Sequence, residues 1–252
     1  VLCPTRELAD QVASEIRRLG RAQDNLKVVT VYGGVPSRNQ IASLENGAHV
    51  VVGTPGRVLD LMQRGVLDIG QLKTLVLDEA DRMLDMGFLA DIESVVRQCP
   101  AERQTLLFSA TYPEGIAQLA QRFMRQPELV KVSAQHSAGK IVQRWYEVEP
   151  RAKADAVARL LLHFRPESTL VFCNTKQQCR AIAQALQAQG FSALALHGEL
   201  EQRERDEVLV QFANRSASVL VATDVAARGL DIAELPAVIN VDVTPDPEIH
   251  IH

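Results

Sequence analysis

Aromatic residues make up only 4% of this 252-residue chain, and no apolar run approaches the ~18 residues that a membrane-spanning helix needs. No membrane-spanning helix is expected, and the opening residues carry no signal-peptide pattern, so the expected setting is cytoplasmic. Cysteine is scarce: Cys3, Cys99, Cys173 and Cys179 are scattered, with no Cys-x-x-Cys pair. That spacing argues against a thiolate metal site and for reduced, mostly buried thiols. A basic surplus is missing too. The net charge of −4 speaks against a surface coated in nucleic acid, although it does not describe any single face. Residue 1 is Val rather than Met and already lies in an apolar, strand-like run, so the chain is expected to be a piece of a longer one.

What is present is ample material for cores, 46% hydrophobic over a length comfortable for two domains. Short β-branched runs alternate with amphipathic stretches, the pattern of parallel α/β sheets. Strands are expected at residues 1–3, 27–32, 50–53, 74–78, 104–109 and 129–132, then at 142–148, 169–173, 192–196, 219–222 and 237–241. Helices are expected at 6–19, 91–97, 113–124, 153–163, 176–189 and 202–212. Residues 133–140 are small, polar and aperiodic and read as a linker. The expected organisation is a first domain over residues 1–133, a linker over 134–141 and a second domain over 142–252.

The central chemical signal is Thr74-Leu75-Val76-Leu77-Asp78-Glu79-Ala80-Asp81. An apolar strand ending in adjacent carboxylates places a magnesium-binding Asp at the carboxyl edge of a sheet, with a Glu beside it to orient or deprotonate water. Alone it is weak, since a solvated strand end or a helix N-terminus reads the same way. Its company is more specific. Upstream stand Pro4-Thr5-Arg6-Glu7-Leu8-Ala9, Gly33-Gly34 and Thr54-Pro55-Gly56-Arg57, and downstream stands Ser109-Ala110-Thr111. Each has a structural alternative: Thr5 as a helix cap, the glycine pair as a turn, Thr-Pro-Gly as a loop before a helix. Five such segments in one order, each at a strand-to-helix junction, leave little room for the alternatives.

These segments resemble the first RecA-like domain of the DEAD-box RNA helicases, with residues 78–81 spelling the family name. Val171-Phe172-Cys173-Asn174-Thr175, Gln202-Arg203-Glu204-Arg205 and the run from Ala222 to Asp231 resemble the family's later motifs, in order. The wording of residues 171–179 and 200–231 is closest to the bacterial DbpA-like group. The resemblance implies two tandem RecA-like domains with parallel sheets, ATP and Mg²⁺ as cofactors, and RNA held without base reading. Asp78 would hold magnesium through water and Glu79 would activate the attacking water. Asp81, Ser109 and Thr111 would couple the ATP and RNA sites, Ser109 and Thr111 as hydrogen-bond partners of Asp81 rather than nucleophiles. Thr5, Arg6, Gly33, Gly34, Thr54, Gly56 and Arg57, with Thr175, Arg205 and Thr223 on the second domain, would line the RNA track, where hydroxyls, backbone N–H groups and guanidinium groups meet phosphates. Arg205 has an alternative as an exposed helix residue paired with a nearby Glu. Gly229 and Asp231 would approach the nucleotide, with Arg228 in the same segment, and His197 reads as a strand-end residue without chemistry. A ribosomal RNA or ribosome-assembly setting is part of the same implication.

No Gly-x-x-x-x-Gly-Lys phosphate loop occurs in the sequence, and His252 matches only the first residue of the family's His-Arg-Ile-Gly-Arg segment. The expectation is a first domain lacking its opening strand and phosphate loop, and 252 residues that by themselves do not turn over ATP. Two competing readings remain at this point, a DNA translocase of the wider helicase superfamily and a non-enzymatic RNA-binding module.

Overall fold

The computed structural model describes residues 1–112, 114–131, 141–223, 226 and 235–242. They form two compact units, one over Val1–Pro127 and one from Glu128 onward.

In the first unit β1 (Val28–Val31) pairs in parallel with β2 (Val50–Gly53), and β3 (Thr74–Leu77) pairs in parallel with β4 (Gln104–Leu107). One residue joins the two ladders. Leu2 bridges both Gly53 and Leu77; its N–H donates to Val76 O at 2.8 Å, and Asp78 N–H donates to Leu2 O at 2.9 Å. Side chains on a strand alternate between faces, so a sheet covered on both sides must be apolar at both parities. Val29, Val31, Leu75, Leu77 and Leu2 turn to one core, together with Leu61, Met83, Ile92 and Ile116. Val28, Val52 and Cys3 turn to the other, against Ala9 and Ala13 of α1 (Arg6–Leu19). The first core is covered by α2 (Arg38–Leu44), α3 (Pro55–Gln63), α4 (Ala80–Asp85), α5 (Leu89–Gln98) and α6 (Glu114–Phe123). Each large apolar side chain fully buried there, such as Leu61 or Leu77, contributes about 1.5–3 kcal/mol.

The second unit contains α7 (Lys153–Phe164), β5 (Thr169–Cys173), α8 (Lys176–Ala188), β6 (Ala193–Leu196), α9 (Gln202–Ala213), β7 (Val219–Thr223) and β8 (Ala237–Asn240). The sheet order is β6-β7-β5-β8, all parallel. Val157 and Leu161 of α7 and Cys179, Ile182 and Leu186 of α8 pack on Val171, Val219 and Val221. β7 is buried at every position, as a central parallel strand must be.

Two expected strands are absent among the described residues. Residues 129–131 are irregular, with Leu129 and Val130 exposed, and Val132 lies outside the described residues, as does the expected linker 133–140. Residues 142–148 are irregular as well, and Trp145 is 86% exposed. Both runs are rich in strand-forming side chains, but a strand exists only when its backbone pairs, and neither run has a ladder partner among the described residues. The expected strand at residues 1–3 is reduced to the bridge at Leu2. Three short helices for which no bounds were stated, α2, α3 and α4, follow the glycine pair, β2 and β3.

Candidate functional site

The carboxyl ends of β3 and β4 bring the acidic segment to Ser109-Ala110-Thr111. Glu79 adopts a left-handed backbone (φ 46°, ψ 54°), which costs a non-glycine residue on the order of 1–3 kcal/mol. Two bonds hold the turn: Glu79 N–H donates to Asp78 Oδ1 at 3.0 Å and Ala80 N–H to Phe108 O at 3.0 Å. Glu79 Oε2 lies 3.8 Å from Arg82 Nε.

The three carboxylates of this segment separate by what surrounds them. Asp81 is 4% exposed. Burial, the largest single influence, works to raise its pKa, but the hydrogen bonds to it together outweigh this, led by Thr111, which donates from Oγ1 at 2.7 Å and from N–H at 2.9 Å to Oδ2. Arg82 N–H donates to Oδ1 at 2.9 Å, so both oxygens are occupied and the carboxyl is held below its ordinary value. Ser109 Oγ is buried beside it and adds to that pull without completing a hydrogen bond of good geometry. Asp81 therefore clasps the β3–α4 turn to the loop after β4 and is not free to meet a metal. Asp78 is the opposite case. Burial pushes its pKa up, the single backbone donor from Glu79 does not compensate, and its Oδ2 has no hydrogen bond among the described residues. Such a desolvated carboxylate fits a divalent cation that keeps most of its own water, as Mg²⁺ does. Among the described residues no group of three or more His, Cys, Asp or Glu is placed to hold a metal, so within them Asp78 with Glu79 is the acidic pair available to such a site. Cys3, directly behind them, is fully buried, and burial together with the Asp78 charge pushes its thiol up to about 12.

Beside this edge lie the loops read as an RNA track. Thr5 is the N-cap of α1, its Oγ1 accepting from Leu8 N–H at 3.2 Å. Arg6 places its guanidinium 5.2 Å from the Tyr32 ring centroid, with a nitrogen facing Gly34. Gly33 and Gly34 are exposed, and Gly34 has φ 78°. Thr54 heads α3 with an extended backbone and no side-chain cap bond. Gly56 has the Asp91 carboxylate 3.3 Å from where a Cβ would stand. Arg57 turns inward: its side chain is 14% exposed and donates to Gln40 and to Val35 O. The sequence reading missed Gln40, and also Gly53. A Cβ on Gly53 would meet Val31 O at 2.2 Å. Gln40 stands in a polar run, Ser37-Arg38-Asn39-Gln40, that gave no signal, and only a glycine closing a strand marked Gly53.

On the second unit Thr175 caps α8, its Oγ1 accepting from Gln178 N–H at 3.2 Å. Arg205 in α9 donates to Ala226 O, and Thr223, the last residue of β7, is buried. Arg228, Gly229 and Asp231 lie outside the described residues. His197 is 3% exposed, and its Nε2 accepts from Arg180 Nε at 3.0 Å. Burial first, and then the Arg180 charge, lower its pKa. Glu199 meanwhile pairs with both Lys176 and Arg180, tying the first turns of α8 to the loop after β6. Asp242 at the end of β8 takes Lys153 and accepts from Asn174 N–H at 3.3 Å, fixing the β5–α8 loop from behind.

Two parallel α/β units, the first with paired carboxylates at the carboxyl edge of its sheet, define a tandem RecA-like protein. The profile of the DEAD/DEAH box helicases matches residues 1–119, and that of the helicase conserved C-terminal domain matches residues 152–252. A solved DEAD box protein from Methanococcus jannaschii is 42% identical; this chain aligns over its full length, covering 68% of that one, with a TM-score of 0.51. The chain thus belongs to the DEAD-box helicase family. It is 54% identical over its whole length to the ATP-dependent RNA helicase DbpA of Escherichia coli and 47% identical to the DEAD-box ATP-dependent RNA helicase CshA of Geobacillus kaustophilus. It spans 55% and 54% of those two relatives. Yeast Dbp5 bound to RNA and ADP BeF3 is 31% identical, with a TM-score of 0.83, and 65% of that chain is covered.

Proposed function

We propose that these residues are the core of an ATP- and magnesium-dependent RNA helicase that grips single-stranded RNA without reading its bases and opens short duplexes locally. The observation that carries this is the division of labour in residues 78–81. Asp81 is fully hydrogen-bonded and clasps two loops, whereas Asp78 is desolvated and under-compensated at the sheet edge. Asp78 would hold Mg²⁺ through its water, and the metal would supply charge neutralisation on the phosphates. Glu79, next in the chain, receives a proton from water or orients that water for attack. Thr111 and Ser109 transmit the state of this edge to the loop after β4 through Asp81. Thr5, Arg6, Gly33, Gly34, Thr54 and Gly56, with Thr175, Arg205 and Thr223 on the second unit, form the strand-binding track, and Arg228, Gly229 and Asp231 serve the nucleotide. The yeast relative holding RNA together with a nucleotide analogue supports the reading.

In the intact protein Glu79→Gln is expected to lower steady-state ATP turnover by about a hundred- to ten-thousandfold, the usual range for loss of a general base. ATP-dependent RNA binding should survive, because the neutral isostere leaves Asp78 and the fold in place. Turnover at the parental rate, or loss of ATP binding, would remove Glu79 from this role. Stimulation of turnover by DNA as strongly as by RNA would favour a DNA translocase instead.

A further inference from the structure

Tyr32, immediately before the glycine pair, and Arg57 meet at one buried side chain that belongs to none of the recognised segments. Gln40, in α2, is 8% exposed. Its Nε2 donates to Tyr32 O at 3.0 Å, and its Oε1 accepts from Tyr32 N–H at 3.2 Å. The amide thus takes both backbone groups of the residue immediately before the glycine pair. The same Oε1 accepts from Arg57 Nη1 at 3.1 Å. Arg57 Nη2 then donates to Val35 O at 3.1 Å, immediately after the pair, and its Nε lies 3.7 Å from Asp60 Oδ2. Tyr32 and Val35 are therefore pinned on either side of the loop, one by Gln40 and one by Arg57, and the two pins hold each other.

Between the pins the loop itself is open. A Cβ at Gly33 would have nothing within 4 Å, and Gly34 takes a left-handed φ of 78°. A ligand that approaches backbone N–H groups this closely gains most when those groups are fixed before it arrives. Arg57, 14% exposed and with Nη1 and Nη2 each donating inward, is ill placed to meet a phosphate as well.

We propose that Gln40 is a positioning residue for single-stranded RNA, acting through Arg57 and the backbone of Tyr32 and Val35 to set the Gly33-Gly34 loop. Arg57 belongs to that clasp rather than to a phosphate contact. The inference rests on the RNA-track reading of the first unit and gives it a mechanism.

Counterion release separates positioning from contact. Deleting a cation that neutralises a phosphate reduces the slope of log K against log[salt] by about 0.7 for a single strand, whereas disturbing the loop lowers affinity and leaves the slope unchanged. The test is fluorescence anisotropy of a labelled oligouridylate on the intact protein with a non-hydrolysable ATP analogue, titrated over a range of NaCl. Gln40→Ala orphans Tyr32 N–H and O and unpins Arg57, so it should weaken binding by about tenfold, the effect of leaving a buried polar group unmet. Its salt slope should match the parent's. Gln40→Glu keeps the volume and the two accepting bonds but opposes Tyr32 O with a carboxylate, and should fall between parent and Gln40→Ala. It carries the comparison alone where Gln40→Ala does not fold. Arg57→Ala should behave like Gln40→Ala, with lost affinity at an unchanged slope.

Parental affinity in both Gln40 variants overturns the proposal, and a slope reduced by about 0.7 in Arg57→Ala reassigns Arg57 to a phosphate. A parent protein that binds no RNA overturns the RNA-track reading itself, and this inference with it.

Discussion

Asp78 and Asp81 lie three positions apart on one turn and have opposite electrostatics. The pKa of Asp78 is raised by burial, so the folded protein holds that proton to a higher pH than the unfolded chain, whose ordinary value is 3.8. Ionisation therefore works against the fold as pH rises past that value, and at neutral pH the charge is a standing cost. Asp78→Asn keeps the acceptor for Glu79 N–H and removes the charge. It is expected to raise the denaturation midpoint of the first unit at pH 7 while lowering ATP turnover of the intact protein by at least about a hundredfold. An unchanged or lower midpoint would show that burial does not penalise this carboxylate. His197 makes a second residue-scale test. Its folded pKa is depressed below 6.5, so the unfolded chain takes up a proton first as pH falls. Stability of the second unit is full above 6.5 and declines below it, in the window between the folded value and 6.5. Urea midpoints measured from pH 7.5 down to about 5 should fall, and His197→Gln should flatten that dependence. Of these residues Asp78 and Asp81 announced themselves in the sequence. His197 was read as bland because neither its burial nor its partner Arg180, 17 positions away, is visible in a string of letters.

Helices at 6–19, 176–189 and 202–212 were legible because their apolar periods, caps and stop residues are local signals, and the structure places them at Arg6–Leu19, Lys176–Ala188 and Gln202–Ala213. The runs at 129–132 and 142–148 looked equally legible and are not strands in their described parts, since pairing is not a local property. Gly53 shows the same limit from the other side. At the end of β2 it reads as a weak strand residue, but β1 and α3 converge on it. A Cβ would sit 2.2 Å from Val31 O, 2.5 Å from Val31 Cγ2 and 3.0 Å from Val58 Cγ2. One of these neighbours is backbone and cannot swing aside. Gly53→Ala is expected to destabilise the first unit by about 1–3 kcal/mol, the range for overpacking, and chemical denaturation would read it directly. Because β2 leads into Thr54 and Arg57, the same variant should also weaken RNA binding. Parental stability would mean that β1 and α3 separate more easily than their packing indicates.

Each unit encloses its own core, built from β1–β4 with α1–α6 in the first and from β5 and β7 with α7 and α8 in the second. The sheets differ in continuity. The second is an unbroken four-stranded ladder, whereas the first is two ladders joined through Leu2. Amides of β5 and β7 should thus be the last to exchange with solvent, and those of β1 and β2 should open earlier. Leu186→Ala, which hollows the second core, should move only one of two unfolding transitions, by about 2–5 kcal/mol. A single transition shifted as a whole would mean that the units do not unfold independently. Hydrogen exchange with equal protection in both sheets would refute the ranking.

The sequence by itself determined the parallel α/β class, the order of the motifs and the family, because each rests on short-range chemistry: an apolar strand, a small or acidic residue at its end, a capped helix after it. The family resemblance already implied Thr111 and Ser109 as partners of Asp81, but the tertiary structure set the balance: Thr111 closes on Asp81 across 30 positions, and among the described residues Asp78 accepts only from its own neighbour. The tertiary structure likewise decided that Arg57 turns inward, because Gln40 and Val35 become its partners only when α2 and α3 pack beside the end of β1. Hydrogen bonds and burial act over ångströms in space, and separation along the chain does not encode them.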